Sequence, residues 1–445
     1  MKYIEPIKSI VLLFLVLLSI YLTFLIWSYR PDYKPIEEPQ IEQITIGEQK
    51  HIQSVLKPYR MLFRYEDKYT GTVSLEEINR MMSLLSEVQA EDLNIENTNL
   101  PVSKVNEMTR TNERMTMFFK TEIPIKAFSN VLTFNDTELP EATFNRLIID
   151  WSDVEASKRA QVLFVSLGNE TVYRTDITIR DTAKFKEIFL EQPAKYVAYQ
   201  EVERRNVFSL YVAEHQQAVM QYTYLIEDSS HEPFKELLFQ DPGLVEKTIE
   251  DSFVKYTDWM SLITFDEHAK TMYYVNPVAE SFVPISRSDL VLYTYDFIND
   301  HGGFTADYRL TAMNVRKHVT EYQMYIQGLP VYSSTSTSTR ISTTWGENQI
   351  FSYRRPHYTL DNAIYETSVD VVPGTDIIKQ LKNHPKIDYE KIDDIVLGYY
   401  LDYSREDLMQ NTKLFVLQPS WFAISGNQWT RIMTEGNEVY GYGLE

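Results

Sequence analysis

The chain opens with one long unbroken apolar run and continues in short stretches where apolar and polar positions trade places. From residue 10 to residue 27 no side chain is charged, and past Lys8 the run reaches back to Ile7. At about 1.5 Å of rise per residue, a helix over residues 7–27 crosses a hydrocarbon core of about 30 Å. Lys8 can snorkel at one end, while Tyr21, Trp27 and Tyr29 stand where an interfacial aromatic belt sits. A cleaved signal peptide has a shorter apolar core followed by a small-x-small site, and Trp27-Ser28-Tyr29-Arg30-Pro31 supplies none. The run is therefore expected to remain as an anchor, with residues 1–6 as a short cytoplasmic flank. Lys2 and Lys8 nearly balance Arg30 and Lys34, so the positive-inside rule alone does not set the orientation.

Residues 28–46 carry Pro31, Pro35 and Pro39 with Glu37, Glu38 and Glu42, a stiff polar stalk. Beyond it the pattern falls into three blocks, 47–198, 199–303 and 304–445. In the first, Ser74-x-x-Glu77 has the spacing of a capping box, and Leu75, Ile78, Met81, Met82, Leu85 and Val88 follow at helical spacing. Strands are expected at 116–119, 146–151 and 162–167, and a helix over 182–190. The second block predicts strands at 207–213, 220–226 and 270–275, and a short helix over 233–239. It also holds a helix capped by Ser286-x-x-Asp289 that stops at Gly302-Gly303.

In the third block Tyr322, Met324 and Ile326 alternate with other positions before Gly328-Leu329-Pro330. Ile341, Thr343 and Trp345 alternate before the turn at Gly346-Glu347-Asn348. A helix is expected over 375–382, then strands carrying Ile395, Leu397, Tyr399 and Leu401, and closing strands at 413–417 and 421–424. The fold class predicted is α+β: one transmembrane helix, then three extracytoplasmic domains of antiparallel sheets with covering helices.

The formal net charge of −20 disfavours nucleic acid and anionic headgroups as partners. The absence of cysteine excludes disulfides, a thiol nucleophile and thiolate metal sites, and suits an extracytoplasmic protein of a Gram-positive bacterium. Among the eight histidines none pairs at i, i+4, and phosphate-loop, dinucleotide and nucleophile-elbow motifs are missing. No catalytic residue, cofactor or metal ligand is therefore nominated. An Asp/Glu wall hydrolase stays open as the alternative, because its carboxylate spacing is invisible in sequence.

His301-Gly302-Gly303 is read as a helix stop, with a protonated His301 complementing the dipole. Arg354-Arg355 is read as a solvated strand end. Of Tyr399 and Tyr400, neighbours on a strand, one is expected inside and one outside.

Several ordered stretches resemble one family. The opening Ile7-Lys8-Ser9-Ile10 with Leu22-Thr23 and Ile26-Trp27 is similar to that of YycH-family proteins. So are Phe144-Asn145-Arg146-Leu147-Ile148-Ile149-Asp150 and Tyr295-Asp296-Phe297-Ile298-Asn299-Asp300-His301-Gly302-Gly303-Phe304. Gly328-Leu329-Pro330, Thr344-Trp345-Gly346-Glu347 and Phe351-x-Tyr353-Arg354-Arg355 continue the likeness. The resemblance implies a non-enzymatic, single-pass regulator of the WalK/WalR (YycG/YycF) two-component system. Its N-terminus would be cytoplasmic and its body extracytoplasmic. The partners implied are the cell-wall-sensing histidine kinase WalK and the related regulator YycI. It also marks His301, Gly302, Gly303, Gly328, Pro330, Trp345 and Gly346 as structural motif positions. Within the expected span, Ser9, Ser19 and Thr23 are the small or polar positions. Ser19 and Thr23, four apart, share a face that permits close helix approach. The second reading kept open is a cell-wall-binding sensor.

Overall fold

The structure, a computed structural model, describes residues 17–19, 47–136, 138–281, 283–334, 337–403, 414–433 and 439–442. Two units separate by contact, Met1–Ile44 and Thr45–Glu445. Of the first, only residues 17–19 are described; they are helical, with Leu17 and Leu18 exposed. The expected span and stalk otherwise lie outside the described residues, as do Ser9 and Thr23. Among the described residues no helix is long and apolar enough to cross a membrane.

In the second unit the described strands form two sheets, of ten and fifteen strands. The first begins at one edge with Leu210–Ala213, Val197–Val202, Lys68–Thr72 and Arg60–Tyr65. It continues through Arg114–Pro124, Thr143–Asp150, Arg159–Ser166 and Thr171–Thr178 to Gln89–Thr98 and Thr133–Phe134. All its pairings are antiparallel except the last. Its inner face carries interlocked edge-to-face rings of Phe119, Phe128, Phe144 and Phe164, with centroids 4.9–6.3 Å apart.

The helix Leu75–Glu87 buries Ile78, Met81, Met82 and Leu85 in the same core. It starts where the sequence predicts, but the capping box does not close. Ser74 makes no side-chain cap, and Glu77 turns instead to Arg80 and the Tyr196 hydroxyl. The helix Val102–Arg110 covers part of the sheet's other face through Val105 and Met108.

The second sheet is antiparallel except where Leu329–Tyr332 joins Asp394–Tyr403 in parallel. In it Thr271–Val275, of the second expected block, pairs with Ile350–Pro356, of the third. In the first sheet residue 199, where the second block was expected to begin, lies inside the strand Val197–Val202. The segments expected at 413–417 and 421–424 are one strand, Leu414–Ser425. On one side its neighbour changes from Gln217–Asp228, ending at Leu417, to Gln428–Ile432, starting at Trp421. Pro419 falls in that gap, where a residue without an N–H is tolerated.

Asp394–Tyr403 is buried on both faces. Tyr399 joins the main core and Tyr400 the opposite one, so neither ring is the exposed one expected. Leu62, Phe118 and Tyr211 of the first sheet, with Tyr59 just before its strand Arg60–Tyr65, meet Tyr325, Tyr332, Tyr400, Phe422 and Trp429 of the second in one apolar seam.

Candidate functional site

The helix Arg287–Asp300 begins as its sequence dictates: Ser286 Oγ accepts from the Asp289 amide at 3.0 Å. Its last turn ends in a six-to-one bond from Gly303 N–H to the Ile298 carbonyl, 2.8 Å, with Gly302 and Gly303 both at positive φ. His301 is not the protonated cap expected. Its ring lies on Phe297 at 4.1 Å, and Nδ1 donates to the Phe297 carbonyl at 2.9 Å. Burial lowers its pKa, so at neutral pH it is an uncharged cap.

That helix end holds the first described residues of the body. Glu48 and Phe304 exchange backbone hydrogen bonds of 3.1 and 2.9 Å. Asn299 accepts from the Lys50 amide at 3.0 Å through Oδ1 and donates to its carbonyl through Nδ2. The Tyr295 hydroxyl donates to the same carbonyl at 2.7 Å. A Cβ on Gly303 would stand 2.8 Å from the carbonyl oxygens of both Gly47 and Glu48. The stretch 295–304 is thus a clamp on residues 47–50, directly after the expected stalk.

The other motif positions serve neighbouring contacts. Trp345 donates through Nε1 to Thr294 at 2.7 Å and meets Phe297 edge-on. Gly346 lies so close to the 277–279 turn that a Cβ would overlap the Ala279 carbonyl. Gly328, with φ +83°, turns the chain between Val319–Ile326 and Leu329–Tyr332 and rests on the Val73 carbonyl. Pro330 is buried in the second of those strands. The structure therefore joins His301, Gly302, Gly303 and Trp345 around one helix and leaves Gly328 and Pro330 elsewhere. Arg355 is no solvated strand end: it is fully buried, donating to the Gly303 carbonyl and the Tyr353 hydroxyl at 3.0 and 2.8 Å.

A groove of about 520 Å³ opens beside the seam between the sheets, lined by Arg60, Lys120, Arg146, Arg204, Asp394 and Trp429 among others. At its floor Arg60 pairs with Asp394 at 3.1 Å, and the Tyr59 hydroxyl donates to the same carboxylate at 2.5 Å. Burial alone would raise the Asp394 carboxyl. Arg60, Lys120, Tyr59 and Arg146 outweigh it and hold it below the usual carboxylate range. Lys120 lies 3.9 Å from Asp394 and 4.5 Å from the Tyr59 ring centroid, and burial pushes its ammonium down to about 8. Arg204 is occupied by the Phe208, Tyr389 and Ile392 carbonyls.

Sequence reasoning missed this network, whose members lie far apart in the chain. It also missed the meeting of His231, Glu267 and His357, a group of described residues whose ligand atoms lie within 4.8 Å of one another. In-chain spacing carried no signal for either.

The comparisons with known proteins agree with one another. Residues 5–193 match the family described as "YycH protein, N-terminal domain", and residues 208–437 match "YycH protein, C-terminal domain". The two-component system WalR/WalK regulatory protein YycH of Bacillus subtilis (strain 168) is 19% identical over 436 residues, 94% of each chain. The crystal structure of YycH from Bacillus subtilis is similar with a TM-score of 0.73. That match has 16% identity and covers 88% of this chain and 99% of that one, a likeness of fold.

Proposed function

This chain belongs to the YycH family, and from that premise we propose that it regulates a WalR/WalK two-component system as a membrane-tethered, non-enzymatic subunit. The observation that carries the reading is the match to both domains of the family in order, with a relative of nearly equal length named for that system. In this reading residues 7–27 span the membrane, the N-terminus is cytoplasmic, and the body faces the wall beside the kinase WalK and the related regulator YycI.

A single-span helix biases a kinase only by packing differently against its two signalling states. Ser9, Ser19 and Thr23 are the positions proposed to permit that approach. The clamp on residues 47–50 gives the body a fixed attachment for the chain leaving the stalk. A pull or rotation there acts on the helix Arg287–Asp300 and, through the contacts of Thr294 with Trp345 and Thr320, on the sheet beneath it.

Asp394, the buried carboxylate of the groove, does not suit the general acid of a carboxylate hydrolase. A general acid needs a raised carboxyl pKa, and Asp394 is held low by its cations. The test is to replace residues 7–27 by an unrelated apolar helix of equal length. Expression of WalR-controlled genes is expected to shift toward that of cells lacking the protein, while the amount of membrane-bound chain stays constant. Unaltered expression, together with wall hydrolysis by the purified chain, would overturn the proposal.

A further inference from the structure

Three side chains that no sequence motif connects meet beside the turn joining Leu262–Asp266 to Thr271–Val275. Glu267 lies in that turn. His231 precedes the short helix Glu232–Leu238, and His357 links Ile350–Pro356 to Tyr358–Val371. One ligand atom from each lies within 4.8 Å of the others, and His231 Nε2 is 2.8 Å from Glu267 Oε1. The Phe265 ring stacks on His231 at 4.0 Å and meets His357 edge-on at 5.4 Å, fixing both imidazoles.

His357 is fully buried. Its Nε2 contacts the Asp266 carbonyl at 3.4 Å. A carbonyl only accepts, so that nitrogen carries the proton and Nδ1 keeps its lone pair. Nδ1 is buried without a hydrogen-bond partner. An imidazole tied to a backbone carbonyl through one nitrogen, with the other free, is how ligating histidines are held.

We propose that His231, His357 and Glu267 bind a divalent transition metal of the zinc class. Two imidazoles and one carboxylate favour such an ion over calcium or magnesium. They leave a fourth position for water or a donor from a partner. On binding, the His231 proton moves from Nε2 to Nδ1, so no net proton is released there. Lys270 stands nearby, but it is paired with Asp228 at 2.8 Å and faces Glu267 through Oε2 at 3.3 Å, so Oε1 is the oxygen on the His231 side of the carboxylate. His231 and Glu267 are partly exposed, which gives the ion a route in above the buried His357.

The test uses the full chain in detergent, without a histidine tag and stripped by chelator, titrated with Co²⁺ and then Zn²⁺. One Co²⁺ per chain is expected, with visible d–d bands that Zn²⁺ abolishes. His231→Gln and Glu267→Gln, both at partly exposed positions, should each weaken uptake by about tenfold or more while the metal-free chain melts as the parent does. Absence of stoichiometric uptake, or uptake unchanged in both variants, overturns the site.

Discussion

Lys120 shows what the seam costs at the level of a single side chain. Its ammonium is placed in the groove floor, and burial outweighs the attraction of Asp394 to bring it down to about 8. An unfolded lysine titrates near 10.4. Between those values the unfolded chain holds more protons than the folded one, so stability from this site rises with pH. Below about 8 both states are charged and the whole penalty stands. Lys120→Met is therefore expected to stabilise the protein at pH 7 by about 1–3 kcal/mol, and the advantage should shrink by about pH 10. Denaturant melts of both proteins at the two pH values check this; a variant less stable at pH 7 would mean that the attraction to Asp394 dominates. Asp394 itself has the opposite sign. Its lowered pKa contributes stability above the ordinary carboxylate range, and that contribution is lost as pH falls through the folded-state value.

Among the elements, the helix Arg287–Asp300 joins the parts. Its N-cap and glycine stop were legible because both are local chemistry, written within a few residues. Its role as a clamp was not, since residues 47–50 and 295–304 lie far apart in sequence. The same limit hid Arg355, Tyr400 and the His231–Glu267–His357 meeting. Alternation reports that a strand has two faces, but not that Asp394–Tyr403 is covered on both. The capping box at Ser74 failed for a related reason: Glu77 found a tertiary partner in Tyr196.

The clamp carries its own prediction. Asn299→Ala removes both hydrogen bonds to the Lys50 backbone, a local loss of about 1–2 kcal/mol. Amide exchange at Lys50 and Glu48 should accelerate about tenfold while the sheet strands keep their protection. Unchanged exchange at those two amides would show that Tyr295 and the Gly303 contact suffice to hold the segment.

At the scale of the whole molecule, two broad sheets share an aromatic seam. A body of this kind suits a regulator that transmits position through a clamped attachment point. Its reach into the bilayer is the central claim, and it can be read directly. A photo-crosslinking amino acid placed at Ser19 or Thr23 of the full-length chain in living cells reports which helix lies beside that face. Crosslinks to the transmembrane helices of WalK or YycI, lost when the label is moved to the opposite face at Leu17, are the predicted result. Capture of lipid alone from every position, or recovery of the chain in the medium cut near residue 30, would contradict the account.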